Sequence, residues 1–333
     1  VYLANAQDVA DYVWSLIEDG QPEGQATYEK FAAGVSKNRL HMVGLGLAQM
    51  PTYTPTPLPK RGFPVFPGSS SWPLVLQMMV GLSRANRAVQ DSDRDLTAQS
   101  FRLTNKFPLH TISRLSNHKL IFTDYAPAVF RRIRELRGID DAQYLHSLGI
   151  EQLLGNLLFG KFTSLAKEIS TGKSGQFFFT SHDGRFLIKT IARHERYSLY
   201  KMLQGYLNHL EKYPSSLLVP IYGLHDIDQL SVIVMGNVFN STYQIESAWD
   251  LKGSIVGRSS PNSFIKKDLD FDRGFLFGPE NAELARQIRL DALFLKSNNI
   301  VDYSMLVGYH TLNSQETQDF EQRNLALSPA AHP

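Results

Sequence analysis

The chain has 333 residues, of which 43% are hydrophobic and 20% charged, a composition typical of globular domains with a sizeable core. Its 34 Lys and Arg against 32 Asp and Glu give a net charge of +2, which argues against binding nucleic acid through overall basic charge. The chain contains no cysteine, which excludes disulfides, cysteine-ligated zinc, iron–sulfur clusters and thiol nucleophiles. Its best apolar run, 74–80, is far shorter than the ~20 residues that a membrane span needs.

The first part of the chain predicts a helix followed by a linker. Residues 3–17 carry apolar side chains at helical spacing, so 1–50 is interpreted as an amino-terminal helical segment of unknown role. Seven of the sixteen prolines lie between 51 and 73, and 51–71 is interpreted as a proline-rich linker. Because the chain begins with Val1 rather than Met, we expect it to be a fragment, which leaves room for a membrane domain upstream.

Two helices are predicted in the next region. Residues 74–89 place apolar side chains on one face at helical spacing. A second helix is predicted to open at Asp124, a candidate N-cap, with Pro127 in its first turn. Gly138 suits the carboxyl-terminal stop of that helix.

Strands are predicted after these helices. Residues 176–191 form two β-type runs around Asp183-Gly184, a strong hairpin signal. The later predicted elements are a helix at about 194–212, strands at 217–224 and 231–236, a helix at 280–296 and a polar, disordered tail at 311–333.

Positive charge is concentrated in one segment. Between Phe101 and Arg137 there are eight Lys or Arg and two acidic residues, a local net charge of +6, which leaves −4 for the rest of the chain. On the predicted helix that follows Pro127, Arg131 and Arg134 lie off the apolar stripe, so we expect them to face phosphates. A compact basic patch on a near-neutral protein indicates an anionic surface as partner.

One glycine-rich segment invites two interpretations. Residues 172–174 (Gly-Lys-Ser) look like the end of a P-loop, but position 167 is lysine and a hairpin follows where a P-loop needs a helix. Kinases instead cover ATP phosphates with a glycine-containing hairpin and reach them with a strand lysine. Gly172, Gly175 and Lys189 match that layout, which is a weak signal when taken alone.

Several further motifs strengthen the kinase interpretation. In chain order they resemble motifs of the phosphatidylinositol phosphate kinase family: 124–134 (DYAPAVFRRIR) with 138–141 (GIDD), 186–190 (FLIKT), 249–254 (WDLKGS), 267–271 (KDLDF) and 300–310 (IVDYSMLVGYH). Residues 74–89 also look like the opening helix of that family. The resemblance covers about 72–310 and is tightest after residue 121.

The resemblance implies an α+β, two-lobed lipid-kinase fold. The amino-terminal lobe, an antiparallel sheet with flanking helices, is expected over 72–245. A partial carboxy-terminal lobe is expected over 246–310. The implied reaction is ATP-dependent phosphorylation of an inositol-ring hydroxyl of a phosphatidylinositol monophosphate, with Mg²⁺.

The resemblance also assigns catalytic roles. Asp302 would orient or deprotonate the inositol hydroxyl, and its apolar neighbours lead us to expect a partly buried carboxylate. Lys252 would neutralise charge on the transferring phosphoryl group, and Asp250 would hold Lys252 or Arg258 in place. Asp270 is a supporting candidate that a capped turn explains about as well as a site.

ATP binding is expected on the predicted hairpin. By resemblance, Lys189 binds the ATP phosphates, together with the loop residues Gly172, Lys173 and Gly175. Glu195, early on the following helix, could pair with Lys189 as a helix glutamate does in protein kinases.

The expected location is the cytosolic face of a membrane, where the protein would be peripheral. Arg131, Arg132 and Arg134 are the candidates for docking to anionic lipid, since each Lys or Arg near such a surface contributes about 1 kcal/mol. The resemblance also admits a homodimer formed through the amino-terminal lobe.

Two departures from the family leave alternatives open. Nothing between Thr311 and Pro333 resembles the family's second metal-binding aspartate or its lysine-rich activation loop. A catalytically silent module that binds phosphoinositide or ATP as an adaptor is therefore the first alternative. A protein kinase is disfavoured, because the chain has neither a His-Arg-Asp nor an Asp-Phe-Gly motif.

Overall fold

The computed structural model describes residues 63–65, 71–89, 95–109, 120–150, 165–169, 177–241, 243–271, 281–314 and 317–318. The predicted segment 1–50 and most of the predicted tail 311–333 lie outside these residues. The chain divides into two compact units. The first takes the residues up to Asn240 together with Glu283–Phe294, and the second takes Ser241–Ala282 and the residues from Leu295 onward.

The first unit contains an eight-stranded sheet in which every neighbouring pair is antiparallel, in the order β1-β4-β5-β6-β8-β7-β3-β2. Its strands are β1 (Phe63–Val65), β2 (Thr104–Leu109), β3 (Leu120–Tyr125), β4 (Leu165–Ile169), β5 (Phe177–Ser181), β6 (Phe186–Ile191), β7 (Ile221–Ile227) and β8 (Leu230–Gly236). Its helices are α1 (Trp72–Ala88), α2 (Pro127–Leu136), α3 (Asp141–Leu148), α4 (Arg193–Lys212) and most of α5 (Asn281–Ser297). The predicted α+β class is confirmed.

Strand β1 lies inside the proline-rich segment 51–71 that the sequence predicted as a linker. It pairs antiparallel with β4 and forms an edge of the sheet. An edge strand tolerates Pro64, because a missing N–H on the solvent side breaks no ladder bond. The prolines of this segment therefore led to the prediction of a linker where a short strand lies.

The predicted hairpin is confirmed as β5 and β6. Asp183 organises its turn by accepting hydrogen bonds from Ser181 Oγ (2.6 Å) and from the backbone N–H of Arg185 (3.2 Å). Gly184 follows with φ +73°, a conformation that glycine adopts without a Cβ clash. Ser147 Oγ on α3 also donates to Asp183 (2.5 Å), which ties the turn to that helix.

The predicted helix at 74–89 is confirmed as α1, and it packs closely on the sheet. Trp72 and Met79 are among its buried side chains. Gly81 lies against the ring of Phe122 on β3: a Cβ built there would be 2.1 Å from the ring. Glycine at this position allows the helix to approach the sheet more closely than any side chain would permit.

The start of α2 differs from the prediction. Asp124 is not its N-cap but a buried residue of β3, with Oδ1 3.0 Å from His225 Nδ1 on β7. The residue before the helix is Ala126, at φ +46°, and Pro127 occupies the first turn as predicted. Gly138, at φ +67°, ends the helix region as predicted. Strand β3 continues to Tyr125, so Asp124 lies within the strand and contacts His225 on the neighbouring strand β7.

Helices α4 and α5 confirm the helices predicted at 194–212 and 280–296. They are joined by the buried carboxylate of Asp291, which lies 2.7 Å from His209 Nε2. The same carboxylate accepts hydrogen bonds from Ser216 Oγ (2.8 Å) and from the backbone N–H of Leu217 (2.7 Å). Leu217 is thereby held in a loop, which is one reason that β7 begins at Ile221 and not at the predicted 217.

The second unit contains a three-stranded sheet. Strand β9 (Ser247–Leu251) is central, with β10 (Ile265–Lys267) parallel to it on one side and β11 (Met305–Tyr309) antiparallel on the other. A 3₁₀ turn, Asp268–Asp270, follows β10 directly. Within the described part of the chain, no helix is both long enough and apolar enough to cross a bilayer.

Candidate functional site

Sheet topology brings the predicted catalytic residues to one edge of the second unit. Because β11 runs antiparallel to β9, Met305 at the start of β11 lies opposite Leu251 at the end of β9. Lys252 follows β9 directly and Asp302 shortly precedes β11, so both side chains emerge at the same edge. The end of β10 lies at this edge as well, since Lys267 is opposite Asp250.

Lys252 and Asp302 form an ion pair at that edge, with Nζ 2.8 Å from Oδ1. The hydrogen bond and the positive charge of Lys252 lower the pKa of Asp302, so its carboxylate is ionised at neutral pH. Asp302 has φ +60°, a left-handed conformation that aspartate tolerates better than most residues. Strained backbone of this kind is frequent at functional sites.

The exposure of Asp302 differs from the prediction. Its side chain is 78% exposed, whereas that of Lys252 is 23% exposed. The apolar neighbours that suggested burial do not cover it, because Val301 and Tyr303 are themselves exposed. The carboxylate is thus accessible to a substrate hydroxyl without any rearrangement of its own neighbours.

Asp268 clamps the loop that follows Lys252. Its carboxylate accepts hydrogen bonds from the backbone N–H groups of Lys252 (2.9 Å) and Gly253 (2.8 Å) and from Arg258 Nε (2.7 Å). Desolvation acts to raise the pKa of Asp268, but the hydrogen bonds outweigh it and hold the pKa well below its usual range. The carboxylate of Asp268 therefore holds both ends of the loop from Lys252 to Arg258.

Asp250 contacts Arg258, which is one of the two partners that the sequence analysis offered for it. Arg258 Nη2 lies 3.4 Å from Asp250 Oδ1 and also donates to the Asp250 backbone carbonyl. Lys252 pairs with Asp302 and not with Asp250. Arg258 therefore links Asp250 to the carboxylate of Asp268.

Asp270 has structural contacts. It accepts hydrogen bonds from Ser259 Oγ (2.7 Å) and from the backbone N–H groups of Ser260 (2.6 Å) and Lys267 (3.0 Å). Its backbone carbonyl accepts from Trp249 Nε1 (3.3 Å). These bonds explain Asp270 as the organiser of the turn after β10.

Of the predicted ATP-binding residues, Lys189 lies in the first unit, and the three loop residues lie outside the described part of the chain. Lys189 is on β6 opposite Phe178, with its ammonium 5.7 Å from the centre of that ring. It alternates with the buried Ile188 and Thr190, so it projects from the face of the sheet that is opposite to theirs. The loop residues Gly172, Lys173 and Gly175 lie outside the described residues.

Glu195 has a capping role at the start of α4. Its carboxylate accepts a hydrogen bond from the backbone N–H of Ala192 at 2.7 Å. In the part of the chain that the structure describes, no ion pair joins Glu195 to Lys189. Analogy with the helix glutamate of protein kinases had suggested that pair, and the helix N-terminus offers the carboxylate a nearer donor.

The structure corrects the prediction that Arg134 faces an anionic surface. Its guanidinium is buried, donating to the Tyr222 carbonyl (3.0 Å), to Asn86 Oδ1 (2.9 Å) and to Asp141 Oδ1 (3.3 Å). The side of α2 beside the apolar stripe packs on α3 and β7, so it is internal although it is polar. Arg134 is a structural residue.

The other two predicted docking arginines are paired. Arg131 lies 3.0 Å from Asp141, and Arg132 lies 3.1 Å from Glu211. Arg132 is 44% exposed and keeps an accessible cation, whereas Arg131 is largely covered. The predicted patch thus presents less free positive charge than the sequence indicated.

Comparison with known proteins agrees with these features. The family model described as phosphatidylinositol-4-phosphate 5-kinase matches residues 160–332, about half of the chain. The chain belongs to the phosphatidylinositol-4-phosphate 5-kinase family. It is therefore assigned to the lipid kinases, a class of transferases.

Individual members of this family are similar over much of the chain. A phosphatidylinositol 4-phosphate 5-kinase of Plasmodium falciparum is 36% identical over 74% of the chain, and a phosphatidylinositol 4-phosphate 5-kinase of Arabidopsis thaliana is 34% identical over 75%. A probable phosphatidylinositol phosphate kinase of Dictyostelium discoideum is 38% identical over 57%. The matches span 15%, 35% and 28% of these relatives, so the chain corresponds to at most about a third of their length.

Kinases of this kind generally use Mg²⁺ with ATP, which calls for carboxylate ligands. Among the residues that the structure describes, no three His, Asp or Glu side chains lie close enough to hold a metal ion. No step proposed below passes through a metal.

One buried network escaped the sequence analysis. Asp226 on β7 accepts hydrogen bonds from Tyr125 (2.6 Å) and Ser231 (2.7 Å) and pairs with Arg196 on α4. Burial and the bond to Asp226 raise the pKa of Tyr125 to about 12. The network fixes α4, the helix that carries Glu195, to the sheet. Tyr125 and Asp226 are 101 residues apart in the sequence, so no local spacing could reveal the network.

Proposed function

We propose that the protein transfers the γ-phosphoryl group of ATP to a ring hydroxyl of a phosphatidylinositol monophosphate. The observation that carries the proposal is the Lys252–Asp302 pair, which two separate family motifs bring to one sheet edge at 2.8 Å. Membership of a phosphatidylinositol-4-phosphate 5-kinase family supports this substrate class. Its named relatives in Plasmodium and Arabidopsis are kinases of phosphatidylinositol 4-phosphate.

Asp302 positions the attacking hydroxyl. Its lowered pKa makes it a weak base, so its main work is to accept a hydrogen bond from the hydroxyl and aim its oxygen at phosphorus. Phosphoryl transfer has a loose transition state, in which little proton abstraction is needed before the bond to the leaving group breaks. An ionised, exposed carboxylate suits this role.

Lys252 stabilises negative charge during the transfer. Its ammonium is adjacent to the carboxylate that holds the nucleophile, which places a fixed cation beside the phosphoryl group that moves toward it. The clamp at Asp268 holds the Lys252 backbone by a 2.9 Å bond, so the position of this cation is set before substrate arrives.

ATP is the proposed donor, and Lys189 the proposed contact for its phosphates. Lys189 lies on a central strand of the hairpin sheet and points away from the core, as a phosphate-binding strand lysine requires. Mg²⁺, when bound together with ATP, would neutralise charge on the ATP phosphates. A homodimer through the first unit stays a prediction.

The experiment is transfer of labelled γ-phosphate from ATP to vesicles that contain phosphatidylinositol 4-phosphate. We expect Asp302→Asn to lower the rate about 10²- to 10⁴-fold, the range typical of a positioned acid–base group. Asp228→Asn is the matched control, because Asp228 is also exposed and left-handed, at φ +55°, but lies in the β7–β8 turn.

Two results would count against the proposal. Retention of most of the activity by Asp302→Asn would remove the role given to this carboxylate. Binding of the unmodified protein to the vesicles without any transfer would favour the alternative of a silent adaptor module.

A further inference from the structure

One pair of sequence motifs has no part in the proposed reaction. The segments 124–134 and 138–141 lie on β3, on α2 and at the start of α3, all in the first unit. Two of their charged residues, Asp124 and Arg134, line a cavity together with Tyr144 on α3 and His225 on β7. These motifs therefore contribute to a polar site inside the first unit.

The cavity is small and mostly apolar. Its volume is about 10 Å³, which gives room for about one water molecule. Leu82 and Ala85 of α1 and Phe130 of α2 form part of its wall. An occupant of this size stays in place only if the few polar atoms of the lining hold it.

Three polar atoms of the lining residues have no hydrogen-bond partner among the described residues. They are Tyr144 Oη, His225 Nε2 and Arg134 Nε. Their residues are 2%, 4% and 5% exposed, so bulk solvent does not supply the partners. Because an unpaired polar atom in the interior is costly, native proteins commonly satisfy such groups with an internal water.

Gly223 on β7 brings two of these atoms to the same point. A Cβ built on Gly223 would lie 2.4 Å from His225 Nε2 and 3.1 Å from Tyr144 Oη. The two atoms are therefore close enough for one water to bridge them with two hydrogen bonds of about 2.8 Å. Any side chain at Gly223 would displace the imidazole from this position.

The donors and acceptors match water and not an ion. His225 Nδ1 lies 3.0 Å from Asp124 Oδ1, which favours the proton on Nδ1 and leaves Nε2 as an acceptor. Arg134 Nε is a donor, so a cation is not suited to it, and an anion has no proton to give to Nε2. Burial raises the pKa of Tyr144, so its hydroxyl keeps a proton that it can donate.

We propose that this cavity binds one internal water molecule, which donates to His225 Nε2 and links it to Tyr144 Oη and Arg134 Nε. The water joins strand β7 to helices α2 and α3. It completes the hydrogen bonding around Asp124 and Arg134, which gives the two motifs a structural role. The inference does not depend on the proposed function.

Tyr144→Phe tests the water through the sign of a stability change. Removing the hydroxyl takes a partner from the water, so we expect the folding equilibrium constant from urea unfolding to fall about three- to tenfold. A hydroxyl without a partner would give the opposite sign, because phenylalanine would then remove a buried polar group at no loss of hydrogen bonds. A variant as stable as the unmodified protein, or more stable, would overturn the proposal.

Two other tyrosines calibrate this measurement. Tyr206 is also buried, but its hydroxyl has protein partners: it donates to the Val219 carbonyl (3.0 Å) and accepts from the Ile221 backbone N–H (3.0 Å). Tyr206→Phe is therefore expected to lose stability to a similar extent. Tyr197 is 61% exposed, and Tyr197→Phe is expected to have no effect. A loss in Tyr197→Phe as large as that in Tyr144→Phe would contradict a specific role for the cavity.

A crystal structure of the protein, soaked in bromide, identifies the occupant. We expect one density peak within hydrogen-bonding distance of Tyr144 Oη and His225 Nε2, without an anomalous bromide signal. A direct bond between these two atoms with no peak between them would overturn the proposal, and a bromide peak would overturn it in favour of an anion site. Neither experiment uses ATP or lipid, so both are independent of phosphoryl transfer.

Discussion

The two units offer contrasting cases of charged side chains, buried in the first unit and open at a sheet edge in the second. In the first unit, Asp124, Arg134 and Asp291 are all nearly inaccessible to solvent and each contacts a residue from another element. In the second unit, the Lys252–Asp302 pair lies at an open sheet edge. The sequence motifs of this family contain both kinds of residue, and only their burial separates structural charge from charge that is available to a substrate.

The physical difference is desolvation. A buried ion loses its hydration and must keep a full set of hydrogen-bond partners, so it cannot exchange them for a ligand. An exposed pair contributes little to stability, and its partners can be shared with an incoming hydroxyl or phosphate. Arg134 and Lys252 illustrate the two cases within one chain.

Replacing Arg134 by methionine should give the largest loss of stability. The change removes the donor to the Tyr222 carbonyl and to Asn86 and leaves Asp141 with Arg131 alone, so we expect the free energy of unfolding to fall by about 3–5 kcal/mol. Urea unfolding followed by circular dichroism measures this fall.

Arg132→Met is the control for that change. Arg132 is on the same helix, but its pair with Glu211 is exposed, so the expected loss is below about 1 kcal/mol. Equal losses for the two variants would show that burial does not distinguish these two arginines.

A glycine pair tests packing in the first unit. Gly81→Ala places a methyl group 2.1 Å from the Phe122 ring, and we expect a loss of about 1–3 kcal/mol. Gly205→Ala on α4 meets Phe294 only at an ordinary 3.6 Å, so helix propensity should make it neutral or stabilising by up to ~1 kcal/mol. Thermal unfolding of both variants checks the sign, and a stable Gly81→Ala would contradict the close approach.

Much of the fold could be predicted from local pattern. The helices α1, α4 and α5 and the β5–β6 hairpin follow from periodicity and turn residues, which act within a few positions. Strand β1 was missed because the prolines of the segment around it resemble a linker, and Asp124 was misassigned because its partner His225 lies about a hundred residues away.

The sequence could predict which residues belong to the site, but not how they contact one another. Family motifs named Asp302, Lys252 and Asp250, but residue spacing does not show that Lys252 chooses Asp302, or that Arg258 joins Asp250 to Asp268. Solvent exposure could not be predicted either. Asp302 has apolar sequence neighbours but is exposed, whereas Arg134 lies off the apolar stripe of its helix but is buried. Burial depends on which elements pack together, and that depends on the whole topology.

The smallest expected effect is a shift in a titration. The pKa of Asp268 is held well below its usual range, so the clamp contributes its full stability above the ordinary aspartate pKa and loses it progressively as pH falls from there through the lowered value. We therefore expect the amide signals of Lys252 and Gly253 to keep their positions in NMR spectra well below pH 3.8. In Asp268→Asn, which has no carboxylate to titrate, both signals should be displaced at all pH values.

Salt distinguishes this carboxylate from that of Asp302. The pKa of Asp302 is lowered by a single cation in an exposed pair, so added salt should screen Lys252 and bring the Asp302 midpoint back toward its usual range. Asp268 is held by three short hydrogen bonds, two of them from backbone, which salt screens much less. Equal salt shifts for the two carboxyl signals would mean that Asp268 is as exposed as Asp302, and the clamp would then be too loose to hold Lys252 in position.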